Sequence, residues 1–192
     1  MKKEAFVTKE QIEEIVKTYP TPFHIYDEKG LRKKLKDVKD AFSWNKGFKE
    51  YFAVKANPNP FLINIMKEYG CGADCSSMSE LMLAKELNFD GSSIMFSSND
   101  TPREEFSYAN EIGAIINLDD ITHIEFLEET IGELPKTMSL RYNPGGVFEL
   151  SNGIMDNPGD AKYGFTKAQL FEGYKKEKPN RAILKVFLLC LC

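Results

Sequence analysis

The sequence has few of the residues that form metal sites and disulfides. Its 192 residues include 4 Cys and 2 His, and the two histidines, His24 and His123, are far apart and have no cysteine at a spacing typical of zinc sites. No metal site is therefore predicted. The cysteines are expected to be reduced thiols rather than disulfides.

Clustered positive charge and long apolar runs are also missing. Lys and Arg are scattered among Asp and Glu at a formal net charge of −4, so no basic patch predicts binding to nucleic acid. No run approaches the ~20 apolar residues of a transmembrane helix, and residues 1–8 lack the apolar core of a signal peptide. We therefore expect a cytoplasmic protein that binds neither nucleic acid nor a membrane.

Strand-like and helical patterns alternate after residue 50. Apolar runs typical of strands occur at residues 51–57, 71–77, 93–99, 114–120 and 137–143, and the segments between them have helical apolar spacing. Three glycines stand where helices should end, and Thr101 is expected to cap the third of these helices. The alternation predicts a parallel sheet, and both an open sheet and a barrel fit the pattern.

Two helices and a short strand are predicted before this alternating region. Thr8 and Gln11 can form a capping box at the start of the first helix. A short strand is expected at residues 23–26. The second helix should run from Asp27 to about Phe42 and bury an apolar stripe made of Leu31, Leu35, Val38 and Phe42.

The most informative residue is Lys55, a lone lysine in the middle of the first apolar run. Side chains alternate between the two faces of a strand, so Lys55 would share a face with Tyr51 and Ala53, where a sheet normally keeps apolar groups. A lysine in a low-dielectric pocket loses its proton more readily, which makes its amine a nucleophile toward carbonyl groups. The alternative is an exposed lysine at a strand end, with its ammonium group in water.

Three further charged residues lie at or near the predicted strands. Asp74 lies within the second run, where a carboxylate needs a partner. Glu80 follows in the next helix, where it can serve either a ligand or a capping box with Ser77. Arg141 lies near the end of the fifth run, and either a site at the strand ends or a structural ion pair with Asp74 or another acid explains it.

Three short motifs around these residues resemble one known family. They are Tyr-Phe-Ala-Val-Lys-Ala-Asn-Pro at residues 51–58, Gly-Ala-Asp-Cys-Ser-Ser-Met-Ser-Glu at 72–80, and Ser-Leu-Arg-Tyr-Asn-Pro-Gly at 139–145 with Ala-Lys-Tyr-Gly-Phe at 161–165. Together they resemble the fold-type III, alanine racemase-like enzymes that use pyridoxal 5'-phosphate (PLP). Within these, they are most similar to the decarboxylases that act on diaminopimelate, ornithine and arginine.

The resemblance implies the fold and the domain organisation. It implies an α/β fold in which residues 28–174 form an incomplete PLP-binding barrel, a partial parallel β/α barrel of the TIM type. Residues 1–27 would join a β-rich second domain in the full-length family. A homodimer is implied for the full-length protein.

The resemblance also implies the cofactor and the site. Lys55 would form the Schiff base with PLP and act as covalent anchor and base, and Asp74, Glu80 and Arg141 would face the cofactor. Asn99 is expected with them near the C-terminal ends of the strands. The implied activity is the decarboxylation of a small amino acid, most closely that of diaminopimelate decarboxylase in lysine biosynthesis.

The resemblance stops at about Tyr174. Residues 175–192 form a divergent end without the histidine that stacks on the cofactor ring in the family, and the family's phosphate loop and pyridinium partner have no counterpart. A complete barrel needs ~250 residues, so we expect an N-terminal fragment with little or no activity by itself. The apolar run at residues 183–192 fits a strand or an altered end.

Other functions fit the same residues. A PLP-dependent racemase on this barrel would use the same lysine, although residues 72–80 are less similar to that branch. A non-catalytic PLP-binding protein of the same fold is a second alternative. An inactive structural remnant or partner subunit is a third, and the missing cofactor groups favour it.

Overall fold

A computed structural model describes residues 5–143, 145, 163–176 and 186–188, and the chain divides into two units, Met1–Phe48 and Lys49–Cys192. The first unit contains the helices α1 (Lys9–Val16) and α2 (Glu28–Ala41). The predicted capping box opens α1. The Gln11 N–H donates to Thr8 Oγ1 at 3.2 Å, and the Thr8 N–H donates to Gln11 Oε1 at 2.8 Å.

Helix α2 has the predicted bounds but not the predicted burial. Asp27 caps its first turn, because Asp27 Oδ1 accepts the Gly30 N–H at 2.8 Å, and Phe42 ends it. The stripe expected to be buried is not: no residue of α2 is buried, and Val38 and Phe42 are exposed. The described part of this unit offers only α1 as another helix, which is too little apolar surface to cover the stripe.

The short strand predicted at residues 23–26 does not form among the described residues. A strand is stabilised by hydrogen bonds to a neighbouring strand, and no described residue pairs with this segment. The rings of His24 and Tyr26 stack with their centroids 6.2 Å apart. The prediction was wrong because an apolar pattern does not show whether a pairing partner exists.

The second unit is built on a parallel sheet of six strands in the order β1 to β6. The strands are β1 Tyr51–Ala53, β2 Gly72–Cys75, β3 Ile94–Ser97, β4 Ile115–Leu118, β5 Met138–Arg141 and β6 Val186–Leu188. The helices are α3 Pro60–Glu68, α4 Met78–Glu86, α5 Arg103–Glu111, α6 Thr122–Ile131 and α7 Lys167–Lys176. The first five strands lie within the predicted runs and pair in parallel with their neighbours. The predicted α/β architecture of a partial barrel is therefore confirmed.

The two faces of this sheet carry different side chains. Paired residues of parallel strands point to the same side, so the register assigns each residue to a face. One face packs against the helices in an apolar core, to which the strands contribute Ala73, Cys75, Ile94, Phe96, Ile116, Leu118, Met138 and Leu140. The opposite face, here called the inner face, carries Tyr51, Ala53, Gly72, Asp74, Met95, Ser97, Ile115, Asn117, Ser139 and Arg141. Polar side chains therefore gather on the inner face.

Helix ends follow the sequence with one exception. Three glycines end helices as predicted, with left-handed φ values between +74° and +87°: Gly70, Gly113 and Gly132. The prediction that Thr101 caps α5 was wrong. Pro102 has an extended ψ of 155° and occupies the N-cap position itself, so the helix begins one residue later than expected. Thr101 Oγ1 is buried and has no hydrogen-bond partner.

Strand β6 lies inside the apolar run at residues 183–192. It pairs with β5, with Ser139 opposite Val186 and Arg141 opposite Leu188. The strand alternative for this run is confirmed for residues 186–188. The rest of the run, which includes Cys190 and Cys192, lies outside the described residues.

The two described cysteines are buried and form no disulfide: Cys71 and Cys75. In the part of the chain that the structure describes, no helix combines the length and the hydropathy needed to cross a membrane. The same residues contain no group of three or more His, Cys, Asp or Glu side chains that could hold a metal ion.

We predict that Phe106→Ala lowers the free energy of unfolding by about 3–5 kcal/mol, the usual loss for a buried aromatic side chain. Phe106 is 1% exposed, and its ring meets those of Phe96 and Phe126 edge-on at centroid distances of 6.1 and 6.0 Å. Urea unfolding measures the change. The control is Phe61→Ala, the same change at a side chain that is 79% exposed. Equal losses for the two variants would contradict the described core.

Candidate active site

Lys55 lies just past the C-terminal end of β1. After the strand, Val54–Ala56 form a 3-10 turn in which the Asn57 N–H donates to Val54 O at 3.1 Å. The prolines that follow explain why the strand ends early: Asn57 is held extended before Pro58, and Asn59 caps α3, whose first residue is a proline. Lys55 therefore lies in the loop between β1 and α3.

Contrary to the prediction, Lys55 is not in an apolar pocket. Its side chain is exposed, because the strand stops before its alternating faces reach this residue. Burial raises the pKa of two carboxyls, Asp74 and Asp119, and the ammonium charge of Lys55 is among the charges that oppose both shifts. Lys55 is thus within electrostatic range of two acids at the strand ends. The exposed position at a strand end, our alternative, is the one observed.

Asp74 lies in β2 on the inner face, between β1 and β3. Burial raises the pKa of its carboxyl to about 6. The charges of Lys55 and Arg141 oppose this shift, while Glu80 and Asp119 add to it. Its Oδ1 is buried and has no hydrogen-bond partner. The partner expected for this carboxyl is therefore the positive charge of Lys55 and Arg141, and not a hydrogen-bond donor to Oδ1.

Glu80 lies in the first turn of α4 and binds the loop before the helix. Glu80 Oε2 accepts the Ser76 N–H at 2.8 Å, and Ser76 Oγ lies 3.3 Å from both carboxylate oxygens. The predicted capping box had the wrong partner, because the Ser77 side chain caps no backbone amide and Glu80 reaches one residue further back. Glu105 of α5 binds the first amide of α4, since its Oε1 accepts the Met78 N–H at 3.0 Å.

Arg141 forms an ion pair with Asp119, a residue that the sequence reasoning did not single out. Arg141 Nε lies 3.0 Å from Asp119 Oδ1, although the N–H is not aligned for a hydrogen bond, and Nη2 donates to Ser97 Oγ at 3.2 Å. The Asn117 amide donates to Ser97 Oγ at 3.2 Å and to Asp119 Oδ1 at 2.9 Å. We call these four residues the Arg141 network. The ion pair considered for Arg141 exists, with Asp119 rather than Asp74.

The Arg141 network is buried although all its members are polar. The side chains of Asp119 and Arg141 are 2% and 17% exposed, and Ser97 and Asn117 are buried. Burial raises the pKa of Asp119, and Arg141 is the strongest of the charges that oppose this. The ion pair and the hydrogen bonds offset the cost of burying these groups.

A signal for the missed residues was present in the sequence. The run at residues 114–120 reads Ala-Ile-Ile-Asn-Leu-Asp-Asp, with Asn117 and Asp119 at alternate positions. Alternate positions of a strand lie on one face, so this run indicates a polar face at its C-terminal end. Ser97 pairs with Asn117 across the strands, which no reading of a single strand could show.

The aromatic-glycine part of the last motif runs beside the end of β5. The Phe165 N–H donates to Arg141 O at 2.7 Å, and the Gly164 N–H donates to Asp119 O at 2.7 Å. Gly164 has a φ of +104°, and a Cβ there would lie 2.9 Å from Asn143 Cβ, so glycine is required. The main chain thus ties this motif to the Arg141 network. The first two residues of the motif lie outside the described residues.

Asn99 lies near the strand ends as predicted but apart from the Arg141 network. It is exposed two residues after β3. It lines an open cavity of about 460 Å³ together with α6 residues that include Thr122 and His123. No described contact joins it to Lys55, Asp74 or Arg141.

The strand ends thus combine an amine, carboxyl groups and a guanidinium. Lys55 is a potential nucleophile toward a carbonyl group, Asp74 is a carboxyl that exchanges its proton at about pH 6, and Arg141 supplies positive charge for an anionic group. The fold and these residues define a class of protein: a partial β/α barrel with a lysine at the C-terminal edge of its parallel sheet.

Residues 28–186 match the family model of the pyridoxal-dependent decarboxylases, pyridoxal binding domain. The chain belongs to this family, whose cofactor is PLP. The match reaches β6 and so corrects our expectation that the resemblance stops at about Tyr174.

Relatives and solved structures agree with this family. TabA of Pseudomonas amygdali pv. tabaci is 39% identical over 165 residues, which are 86% of this chain and 38% of TabA. Diaminopimelate decarboxylase of Bacteroides thetaiotaomicron is 29% identical over 78% of this chain and 40% of that protein. A crystal structure of diaminopimelate decarboxylase from Helicobacter pylori complexed with L-lysine matches with a TM-score of 0.74 at 25% identity, covering 91% of this chain and 44% of that one. The chain spans less than half the length of these relatives.

We predict that Asp74 makes the protein less stable as the pH rises from about 4 to about 6. The folded protein holds this proton more tightly than the unfolded chain, because burial raises the pKa from 3.8 to about 6. Raising the pH through this window therefore removes up to about 3 kcal/mol of stability. Asp74→Asn, which cannot ionise, should lose less stability than the wild type over this range when urea unfolding is measured at each pH.

The control for this prediction is Asp90→Asn. Asp90 is exposed, and a hydrogen bond from Ser92 lowers its pKa. Its contribution to the free energy of unfolding is therefore lost only as the pH falls below the pKa of an aspartate in the unfolded chain. This variant should keep the wild-type pH dependence between pH 4 and 6. An Asp74→Asn curve parallel to that of the wild type would show that Asp74 is already ionised at pH 4.

Proposed function

We propose that this chain is part of a PLP-dependent amino acid decarboxylase and that diaminopimelate is its substrate, which would place it in lysine biosynthesis. Membership of the family supports the reaction. Two diaminopimelate decarboxylases among its relatives support the substrate, although TabA, at 39% identity, carries a different name. Because the chain spans less than half of these relatives, the proposal concerns the activity of the whole protein.

The observation that carries the proposal is the position of Lys55. It follows β1 at the C-terminal edge of a parallel sheet, where barrel enzymes hold their substrates, and it lies within electrostatic range of Asp74 and Asp119. An exposed amine at this edge is free to bond to the aldehyde of the cofactor. When bound, PLP supplies an electron sink for the electrons released on decarboxylation.

Arg141 and Asp74 have complementary proposed roles. Arg141 would bind an anionic group of the cofactor or of the substrate, since its guanidinium is held at the end of β5. Asp74 would orient the Lys55 amine and exchange a proton with it, because its Oδ1 is without a hydrogen-bond partner and its pKa is raised to about 6 by burial.

Glu80 has a supporting role in this proposal. Its carboxylate binds Ser76, so it fixes the loop that follows Asp74 rather than reaching a ligand directly.

The domain organisation is likewise proposed: residues 1–27 would complete a β-rich second domain of the whole protein, and a homodimer is proposed for that protein.

We predict that Lys55 is the lysine that bonds to PLP. Treating the chain with PLP and borohydride and mapping the peptides should place the label on Lys55, and Lys55→Arg should lower it at least about tenfold, since a guanidinium does not add to the aldehyde. The matched control is Lys49→Arg. Lys49 precedes β1 as Lys55 follows it, and it donates to Ser93 Oγ at 2.7 Å at the opposite end of the sheet. Label spread evenly over several lysines would refute the assignment.

Substrate and reaction are tested by product analysis. Release of carbon dioxide from diaminopimelate, and not from ornithine or arginine, is the expected result. Inversion of configuration without carbon dioxide release would instead show a racemase, and labelling of Lys55 without any turnover by the whole protein would show a non-catalytic PLP-binding protein. The same assay on the 192 residues alone tests the expectation that they have little or no activity by themselves.

A further inference from the structure

Asp119 is the most deeply buried carboxylate of the candidate site. Its side chain is 2% exposed, and it follows β4 directly. Isolated buried charges are strongly destabilising, so such a carboxylate persists only where other groups compensate it. Here Arg141 Nε lies 3.0 Å from Oδ1 and the Asn117 amide donates to the same oxygen at 2.9 Å.

The two oxygens of Asp119 have different surroundings. Oδ1 receives both of these contacts, whereas Oδ2 is buried and has no hydrogen-bond partner. Among the groups that contact the carboxylate in the Arg141 network, Arg141 is thus the one that carries a positive charge. In Asp119→Asn, an amide group that replaces Oδ2 would therefore break no existing hydrogen bond of that atom.

Within the Arg141 network, the guanidinium of Arg141 contacts this carboxylate and one hydroxyl group. An arginine side chain has about 2 kcal/mol of rotamer entropy, so a single weak contact does not fix its guanidinium. Two contacts do so here, Nε with Asp119 Oδ1 and Nη2 with Ser97 Oγ at 3.2 Å. The hydroxyl of Ser97 is neutral, so only Asp119 opposes the charge of Arg141 within the network.

The main chains of the same two residues hold the motif that follows. Asp119 O accepts the Gly164 N–H and Arg141 O accepts the Phe165 N–H, both at 2.7 Å. The backbone of Asp119 is therefore fixed independently of its side chain. A change confined to the carboxylate should leave this attachment in place.

We propose that Asp119 is a positioning residue of the cofactor site, which fixes the guanidinium of Arg141 at the strand ends so that it meets an anionic group of the bound cofactor. The proposal rests on the function proposed above for Arg141. It assigns to Asp119 no contact with the cofactor or the substrate.

The first test needs no cofactor. The Arg141 Nε–H signal, identified in NMR spectra by its loss in Arg141→Lys, should exchange slowly with water in the wild type, because Nε is buried. In Asp119→Asn the exchange should be at least about tenfold faster, because without the opposing charge the guanidinium leaves this buried position more often. Unchanged exchange in this variant would overturn the proposal, whatever the chain binds.

The control variant is Asp120→Asn, the same change at the next residue. Asp120 Oδ1 accepts the Thr122 N–H at 2.8 Å and the Thr122 hydroxyl at 2.6 Å, so it binds the first residue of α6. The side-chain carbonyl oxygen of asparagine can accept the same two hydrogen bonds. This variant should leave the Arg141 signal and cofactor binding as in the wild type, and fast exchange here too would show a general loosening rather than a role of Asp119.

The second test is a double-mutant cycle on PLP affinity, measured by titration of the cofactor absorbance. Asp119→Asn and Arg141→Gln should each weaken binding about tenfold, and the double variant should be no weaker than Arg141→Gln alone. Additive losses would overturn the claim that Asp119 acts through Arg141. A wild type that binds no PLP would contradict the proposed function, while the exchange test would still decide whether Asp119 holds Arg141.

Discussion

The parallel register of the sheet is the constraint on which the candidate site depends. Strands that pair in parallel all end at the same edge, so Lys55, Asp74, Asp119 and Arg141 lie at one edge although they are spread along the chain. The helices cover the other face with apolar side chains. Polar groups are therefore accommodated on the inner face, and the register decides which of them become neighbours.

The two buried acids at this edge, Asp74 and Asp119, differ in their partners. Asp119 has a direct partner, since Arg141 lies 3.0 Å away, whereas Asp74 Oδ1 has no hydrogen bond and its pKa is raised to about 6. Because Arg141 is engaged by Asp119, it compensates Asp74 only from a distance. One carboxylate thus holds a cation in place, and the other remains able to exchange its proton.

Sequence reasoning located the elements better than the contacts between them. The five strands, the three glycine-ended helices and the first two helices follow from local pattern and capping chemistry. The predictions that were wrong depend on contacts with other segments. Among the described residues, no strand pairs with residues 23–26, and no residue of α2 is buried. Glu80 binds Ser76 rather than Ser77. Asp119 was missed for the same reason, because its partner lies on the next strand and local periodicity does not show which side chains meet.

The position of Lys55 and its exposure to water have different causes in this fold. Its position is set locally, by a strand that ends before the Asn-Pro-Asn-Pro segment and by the register of β1 with β2. Exclusion of water is a property of a closed barrel, in which opposite strands wall the mouth, and the six described strands form an open order from β1 to β6. The relatives TabA and the diaminopimelate decarboxylase of Bacteroides thetaiotaomicron are matched over only 38% and 40% of their own lengths. The pattern around Lys55 therefore predicted where the amine lies, but the apolar pocket expected around it is not a property of this part of the barrel.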